Sequence, residues 1–445
     1  MTYSPSTKSQ VGNRARSRRG SRAVAALVSA LGLLGLSLTA LTTAPPAVAA
    51  TPVAPIDASA MKLTAGDFTG RWAAIDALKA SGKVTSFPND PALTPLLDGT
   101  GLTGRSGLCH TSNLDTAHSI GGFCWNTADD TSREWTPQGF TGSHDAQPTG
   151  TWNGKYVYMA SWHNKANTRA RVSVVDNSSP TVAPKYHHIL LVDPYGSGAG
   201  ANYRAVGDPT SGAKPFPGAH ADGISWYGNK LFVATGHQIQ VYDLRNLLKV
   251  NAGTENGPVG IVDGQAQGGG HSWVLPMIGI YSNAPAGSAC TDTTPCLTSL
   301  SLDRTGTDSL VTSEFAAQGG RPVVRWPLAA ADALLDTDGA DNHTGQVTAN
   351  AAYRVPIWKV QGAATDGTYY YFSGECPAYA GTTDSDVPYC IHRAKPGEAP
   401  HVLTEAPPLT QNLSWSPSAG RLWGINERAD YSVGKRVIFT LNPPN

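Results

Sequence analysis

Past its first fifty residues the sequence has no apolar run approaching the roughly 20 residues that span a bilayer, no basic cluster and almost no helical period. The first absence argues against a membrane span. The second removes the electrostatic footprint that nucleic-acid backbones require, and the third points to an all-β chain. Several chemical signatures are missing too. There is no Cys-x-x-Cys pair, no His-Glu-x-x-His and no phosphate-binding Gly-x-x-x-x-Gly-Lys-Ser/Thr. The segment Gly196–Gly200 sets its serine out of place for a nucleophile elbow.

The first fifty residues read as a cleaved export signal. Lys8, Arg14, Arg16, Arg18, Arg19 and Arg22 precede an apolar run from Ala23 to Leu41, and small residues follow at Ala47–Ala50. The pair Arg18-Arg19 partly matches a twin-arginine signal, but Ala23 stands where a large apolar residue is expected, so the general secretory route is favoured. This segment holds six of the 33 basic residues and none of the 33 acidic ones, which leaves a mildly acidic remainder. All six cysteines lie beyond it. The predicted pairing is sequential, Cys109 with Cys124, Cys290 with Cys296 and Cys376 with Cys390, as disulfides of an oxidising compartment rather than metal ligands. A thiol nucleophile is then not expected.

What is present is a repeat. Five apolar segments, Lys155–His163, Lys230–His237, Ser309–Glu314, Thr368–Glu375 and Arg421–Glu427, each begin at a tight, mostly glycine-containing turn and end in a histidine or carboxylate. Companion strands follow at Ala170–Asp176, Ile239–Leu244, Pro322–Trp326, Tyr389–His392 and Arg436–Leu441. Further strands precede the turns at His220–Trp226, Gln361–Thr365 and Gln411–Trp415, and Tyr186–Val192 completes the first unit. Units that cannot bury both faces alone must stack on one another. The predicted fold is an all-β propeller, five-bladed, over residues 135–445. Residues 51–134 form an N-terminal extension with one short helix at Trp72–Lys79, and Cys109–Glu134 supplies either a closing strand or a sixth blade.

The stretch Trp135–Asp145, the residues Ser161-Trp162, the strand Arg171–Asp176 and the block His220–Gly228 resemble a group of secreted actinobacterial proteins. That resemblance implies export and propeller-like repetition. It implies no catalytic residue.

In a propeller, the start of each inner strand and the end of each second strand open on one face. The first set supplies Gln138, His144, Asp145, His220, Asp222, Gln361, Gln411 and Asn412; the second supplies His163, His237, Glu314, Glu375 and Glu427, with Trp162 adjacent. Carboxylates, imidazoles and aromatic rings around a channel suit an extracellular glycan or another small polar ligand. Hydrolysis would draw its acid and its nucleophile or base from Asp145, Asp222, Glu314 and Glu375. Substrate binding would fall to His144, Trp162, His163, His220, His237, Gln361, Gln411 and Glu427. No cofactor is predicted outright. A divalent metal held by His144, His163, His220, His237 and His271, serving a lyase or hydrolase, is a second chemistry, and a non-catalytic propeller binding glycan or protein is the alternative. The repeat termini differ from blade to blade, which favours one asymmetric site. The chain is expected to act as a monomer.

Overall fold

A computed structural model describes residues 51–445 apart from 89–92, 180, 214–215, 431, 433 and 445; the expected export signal lies outside the described residues. The blade strands form five four-stranded meanders, and the outer strands of the first two also pair with each other in parallel. The first blade runs Trp135–Gly142, Val157–Asn164, Ala170–Asp176 and Lys185–Tyr195 from inside to outside. The second is Gly223–Tyr227, Lys230–Thr235, Gln238–Asp243 and Trp273–Ser282. The third is Ser301–Asp303, Ser309–Ser313, Arg321–Ala329 and Ala351–Val355, and the fourth is Gly362–Thr365, Tyr370–Glu375, Tyr389–Ala394 and His401–Ala406. The fifth takes Thr410–Ser416, Arg421–Asn426 and Ile438–Leu441 from the end of the chain and its outer strand, Ser119–Cys124, from near the beginning. Each inner strand touches the next around the ring, and the fifth touches the first, so the circle closes as the five-bladed propeller read from the repeats. Cys109–Glu134 thus contributes the closing strand.

Apolar side chains alternate along the strands and pack between blades. Val157, Met159, Val172, Val174, Ile189 and Leu191 face the second blade's Ile224, Trp226, Leu231 and Val233. Near the axis the packing is too tight for side chains. A Cβ on Gly139 would lie 2.5 Å from the Ile224 amide nitrogen, one on Gly223 2.2 Å from that of Leu300, and one on Gly362 2.6 Å from the Gln411 carbonyl. In the fifth blade Asn412 takes the corresponding place and crosses the channel. Its Nδ2 donates to the Phe140 and Leu300 carbonyls at 2.8 Å each, and its Oδ1 accepts from the Leu300 amide at 3.0 Å. Ser161 and Ser373 add hydroxyl bonds to the next blade's Ala221 and Gln411 carbonyls at 2.8 and 2.6 Å.

The closing strand is anchored by charge. Asn126 caps the short helix Thr127–Asp130 by accepting from the Asp129 amide at 2.8 Å. The Asp129 carboxylate then accepts from Arg171 Nη2 at 2.7 Å, Tyr186 OH at 2.6 Å and His188 Nε2 at 3.1 Å, all in the first blade. Burial works against its charge, and His188 and Arg171 outweigh it, so the carboxyl sits well below its ordinary range. Arg436, on the fifth blade, donates to the Asp129 carbonyl at 2.7 Å. The helix expected at Trp72–Lys79 spans Phe68–Ala80 and buries Phe68, Ile75 and Leu78 against the outer strands of the first and second blades. The three disulfides are the sequential pairs.

Candidate functional site

The strand register determines which of the expected residues converge. Gly139, Gly223, Gly362 and Asn412 hold matching places on four inner strands, and the residues just before them are Gln138, Asp222, Gln361 and Gln411. On the second strands Ser161 bonds the Gly139 amide and Ser373 pairs with Gly362; two residues on lie His163 and Glu375, with Glu427 at the matching place in the fifth blade. Tyr389, paired with Glu375 across the fourth blade, joins them. Together these residues line one mouth of the channel.

The mouth carries a graded set of charges. His220 Nδ1 forms an ion pair with Asp222 Oδ1 at 2.8 Å while its ring stacks on His163, with centroids 4.2 Å apart. The neighbouring Asp222 charge lifts His220 to about 9, so it is a cation at neutral pH. Burial, reinforced by that cation, drops His163 to about 4 and leaves it neutral. Glu427 accepts a short hydrogen bond from Gln138 Nε2. Burial raises its pKa, Gln138 and His220 oppose that rise, and Asp222 adds to it. The backbone around Glu427 is fixed, since its carbonyl accepts from Arg436 Nε at 3.0 Å. Gln411 is 1% exposed, and neither of its amide atoms has a hydrogen-bond partner among the described residues.

Other expected residues lie elsewhere or are already engaged. His144 and Asp145 follow the inner strand Trp135–Gly142 instead of preceding it, so they sit at the opposite end of the channel. There His144 Nε2 lies 2.7 Å from Ser414 Oγ, and that hydroxyl donates to Asp145 at 2.9 Å. The three residue types suggest a nucleophilic triad, but here the serine bonds both partners itself and all three are buried, an arrangement that staples the fifth blade to the first. Trp162 does not reach the mouth; it is fully buried, with its indole N–H on Ser173 at 2.7 Å and the Arg171 guanidinium 4.9 Å from its ring.

His237 and Glu314 fall one residue out of the phase shared by His163, Glu375 and Glu427, because Ala234 faces Gly223 and Ser313 bonds Ser299. His237 contacts Asn283 and the Ser288 carbonyl at 2.8 and 3.0 Å. Glu314 is clamped by Arg321 at 2.7 and 2.8 Å. Glu375 keeps phase but is neutralised by Lys359 at 2.5 Å and accepts from the Gly381 amide at 2.8 Å. Phe315, 40% exposed, takes the in-phase place in the third blade. Sequence reasoning passed over Tyr389, Lys359 and Phe315 as site residues. Aligning the repeats two residues past the inner-strand Gly or Asn position brings out Phe315.

The five histidines proposed as metal ligands do not gather into one set. His163 and His220 are together, His237 and His144 are apart from them, and His271 rests edge-on against Trp135 at 5.7 Å. Among the described residues, the compact groups of potential ligands are His237 with Cys290 and Cys296, and Cys109 with His110 and Asp130. Their sulfurs are in disulfides and are not thiolate ligands.

No protein-family model matches the chain, and no curated protein matches it. Among solved structures it is similar to the PQQ-bound aldose sugar dehydrogenase of Streptomyces coelicolor, at 11% identity and a TM-score of 0.27 over 77% of this chain and 96% of that one. It is also similar to vanadate-bound PhoX of Pseudomonas fluorescens, at 7% identity and a TM-score of 0.33 over 77% and 97% of the two chains. A variant of the Synechocystis apocarotenoid oxygenase aligns at 12% identity and a TM-score of 0.27, over 70% of this chain and 67% of that one. Overlaps this low transfer no residue roles.

Proposed function

We propose that the chain is an exported, monomeric glycoside hydrolase working at the channel mouth, with Glu427 as general acid and Asp222 as its partner carboxyl. The observation that carries this reading is the divergence of the two carboxyl environments. Glu427 is pushed towards its protonated form by burial, while Asp222 is bonded to a cationic His220. A carboxyl whose burial favours the proton, beside one that faces a cation, is the pairing that hydrolysis of a glycosidic bond uses. Gln138 occupies one Glu427 oxygen, leaving the other to carry the proton to the glycosidic oxygen. Asp222 then acts at the anomeric carbon, as nucleophile or as base on a water. Gln361, Gln411 and Tyr389 are placed to bond sugar hydroxyls, and Phe315 offers an exposed ring at the rim.

The test is release of new reducing ends from a panel of polysaccharides by the protein lacking residues 1–50, with and without chelator. Turnover that survives chelation and falls by about 10³-fold or more in both Glu427→Gln and Asp222→Asn supports the assignment. Turnover untouched by both substitutions sinks it. Retention on a glycan without any product means a binding propeller instead.

A further inference from the structure

A cavity of about 770 Å³ lies apart from the mouth, lined by none of the mouth residues, and within the roughly 300–1,000 Å³ typical of small-molecule sites. It opens at the seam where the closing segment meets the first two blades. One wall is the loop Gly99–Leu102 with Asn126 to Trp135, and the other is formed by Arg171, Tyr186 and His188 with Lys249, His271 and Trp273.

Its floor is polar yet carries no free charge. Arg171 is bound to Asp129 at 2.7 Å and lies 4.4 Å from the Trp135 ring centre. His188 and His271 are held neutral by burial, at about 4 and about 3. The Trp135 indole N–H and the Arg171 Nε–H, both buried in that wall, have no acceptor among the described residues. The rim carries exposed Lys249 and Glu255 and half-buried Glu134, together with exposed Thr100 and Ser272. An anion would find no uncommitted cation on the floor, and a hydrocarbon would strand these polar groups. A sugar presents an apolar C–H face and a girdle of hydroxyls, which matches ring edges below and hydrogen-bonding groups above.

We propose that the seam cavity is a second saccharide-binding site, taking a neutral stretch of glycan chain away from the channel mouth. The choice of ligand class rests on the glycan-acting reading above. The site's existence is tested separately.

The experiment is calorimetric titration of the Glu427→Gln protein, which cannot turn substrate over on that reading, with xylohexaose, cellohexaose and arabinohexaose, and with an oligogalacturonate for comparison. The variants are Ser272→Tyr, which fills the cavity from an exposed rim position, and the pair Lys249→Ala with Glu255→Ala; circular dichroism verifies folding. The expected result is binding of a neutral hexasaccharide that weakens about tenfold or more in both variants, while turnover of short substrates by the parent carrying only Ser272→Tyr is unchanged. Binding that ignores both variants, or that prefers the oligogalacturonate, overturns the proposal. If the polysaccharide panel yields no product but variant-sensitive binding persists, the hydrolase reading fails and the seam site stands. Turnover without any such binding gives the reverse.

Discussion

His220 sets the electrostatics of the mouth, because it pairs with Asp222 on one side and adds to the burial that keeps His163 neutral on the other. Its pKa rises from the ordinary 6.5 to about 9 in the folded chain. A raised value means that its contribution to stability is complete below pH 6.5 and is lost as pH climbs through 9. The side chain is 43% exposed, so solvent screens the effect and the loss is modest. In thermal melts, His220→Gln should therefore flatten the fall of the unfolding midpoint between pH 6.5 and 9, and an unchanged slope would mean that the pair contributes nothing. In activity, the same substitution should move the alkaline limb of the rate profile, where Glu427 loses its proton, to higher pH, because the cation that opposes protonation of that carboxyl is gone.

At the scale of strands, the inner glycines are steric requirements. Gly223→Ala drives a Cβ into the Ser299–Leu300 backbone, with no flexible side chain there to yield. We expect a loss of about 3 kcal/mol in chemical denaturation. Gly200→Ala, with open space around it, should stay within about 0.5 kcal/mol. The hairpins were legible in the sequence because their turns need glycine and their apolar runs alternate. The third blade's inner strand was not, since Ser301–Asp303 is only three residues long, too short for an alternating pattern to show. Convergence was legible only in part. Side chains switch faces with every residue, so His237 and Glu314 looked equivalent to Glu427 in a list of strand ends and differ from it by one step of register. His144 and Asp145 were displaced for a related reason: the inner strand ends at Gly142, well before the Asn153-Gly154 turn that marks the hairpin in sequence.

For the molecule as a whole, buried histidines set the acid limit. His163, His188 and His392 are depressed to about 4 and His271 to about 3, mainly by burial. Below pH 6.5 the unfolded chain binds protons that the folded chain refuses, so stability drops between pH 6.5 and about 4, with each histidine contributing up to about 1.4 kcal/mol per pH unit. Asp129, held low by His188 and Arg171, extends that loss as the pH falls further. Denaturation midpoints across this range should decline steeply. A flat profile down to pH 4 would contradict these assignments.

The ring is also a matter of time. The strand that completes it, Ser119–Cys124, leaves the ribosome before any other blade strand, yet its partner Ile438–Leu441 comes almost last; Asp130 meets Arg436 across 306 residues. At roughly 5–20 residues per second the early strand waits on the order of 15–60 seconds for its neighbour. Through that interval its hydrogen-bonding edge is open to other chains, and the Cys109–Cys124 bridge, which needs an oxidising compartment, is not yet there to tie it. Misassembly of this protein should therefore depend on crowding among nascent chains more than on the strength of the finished fold.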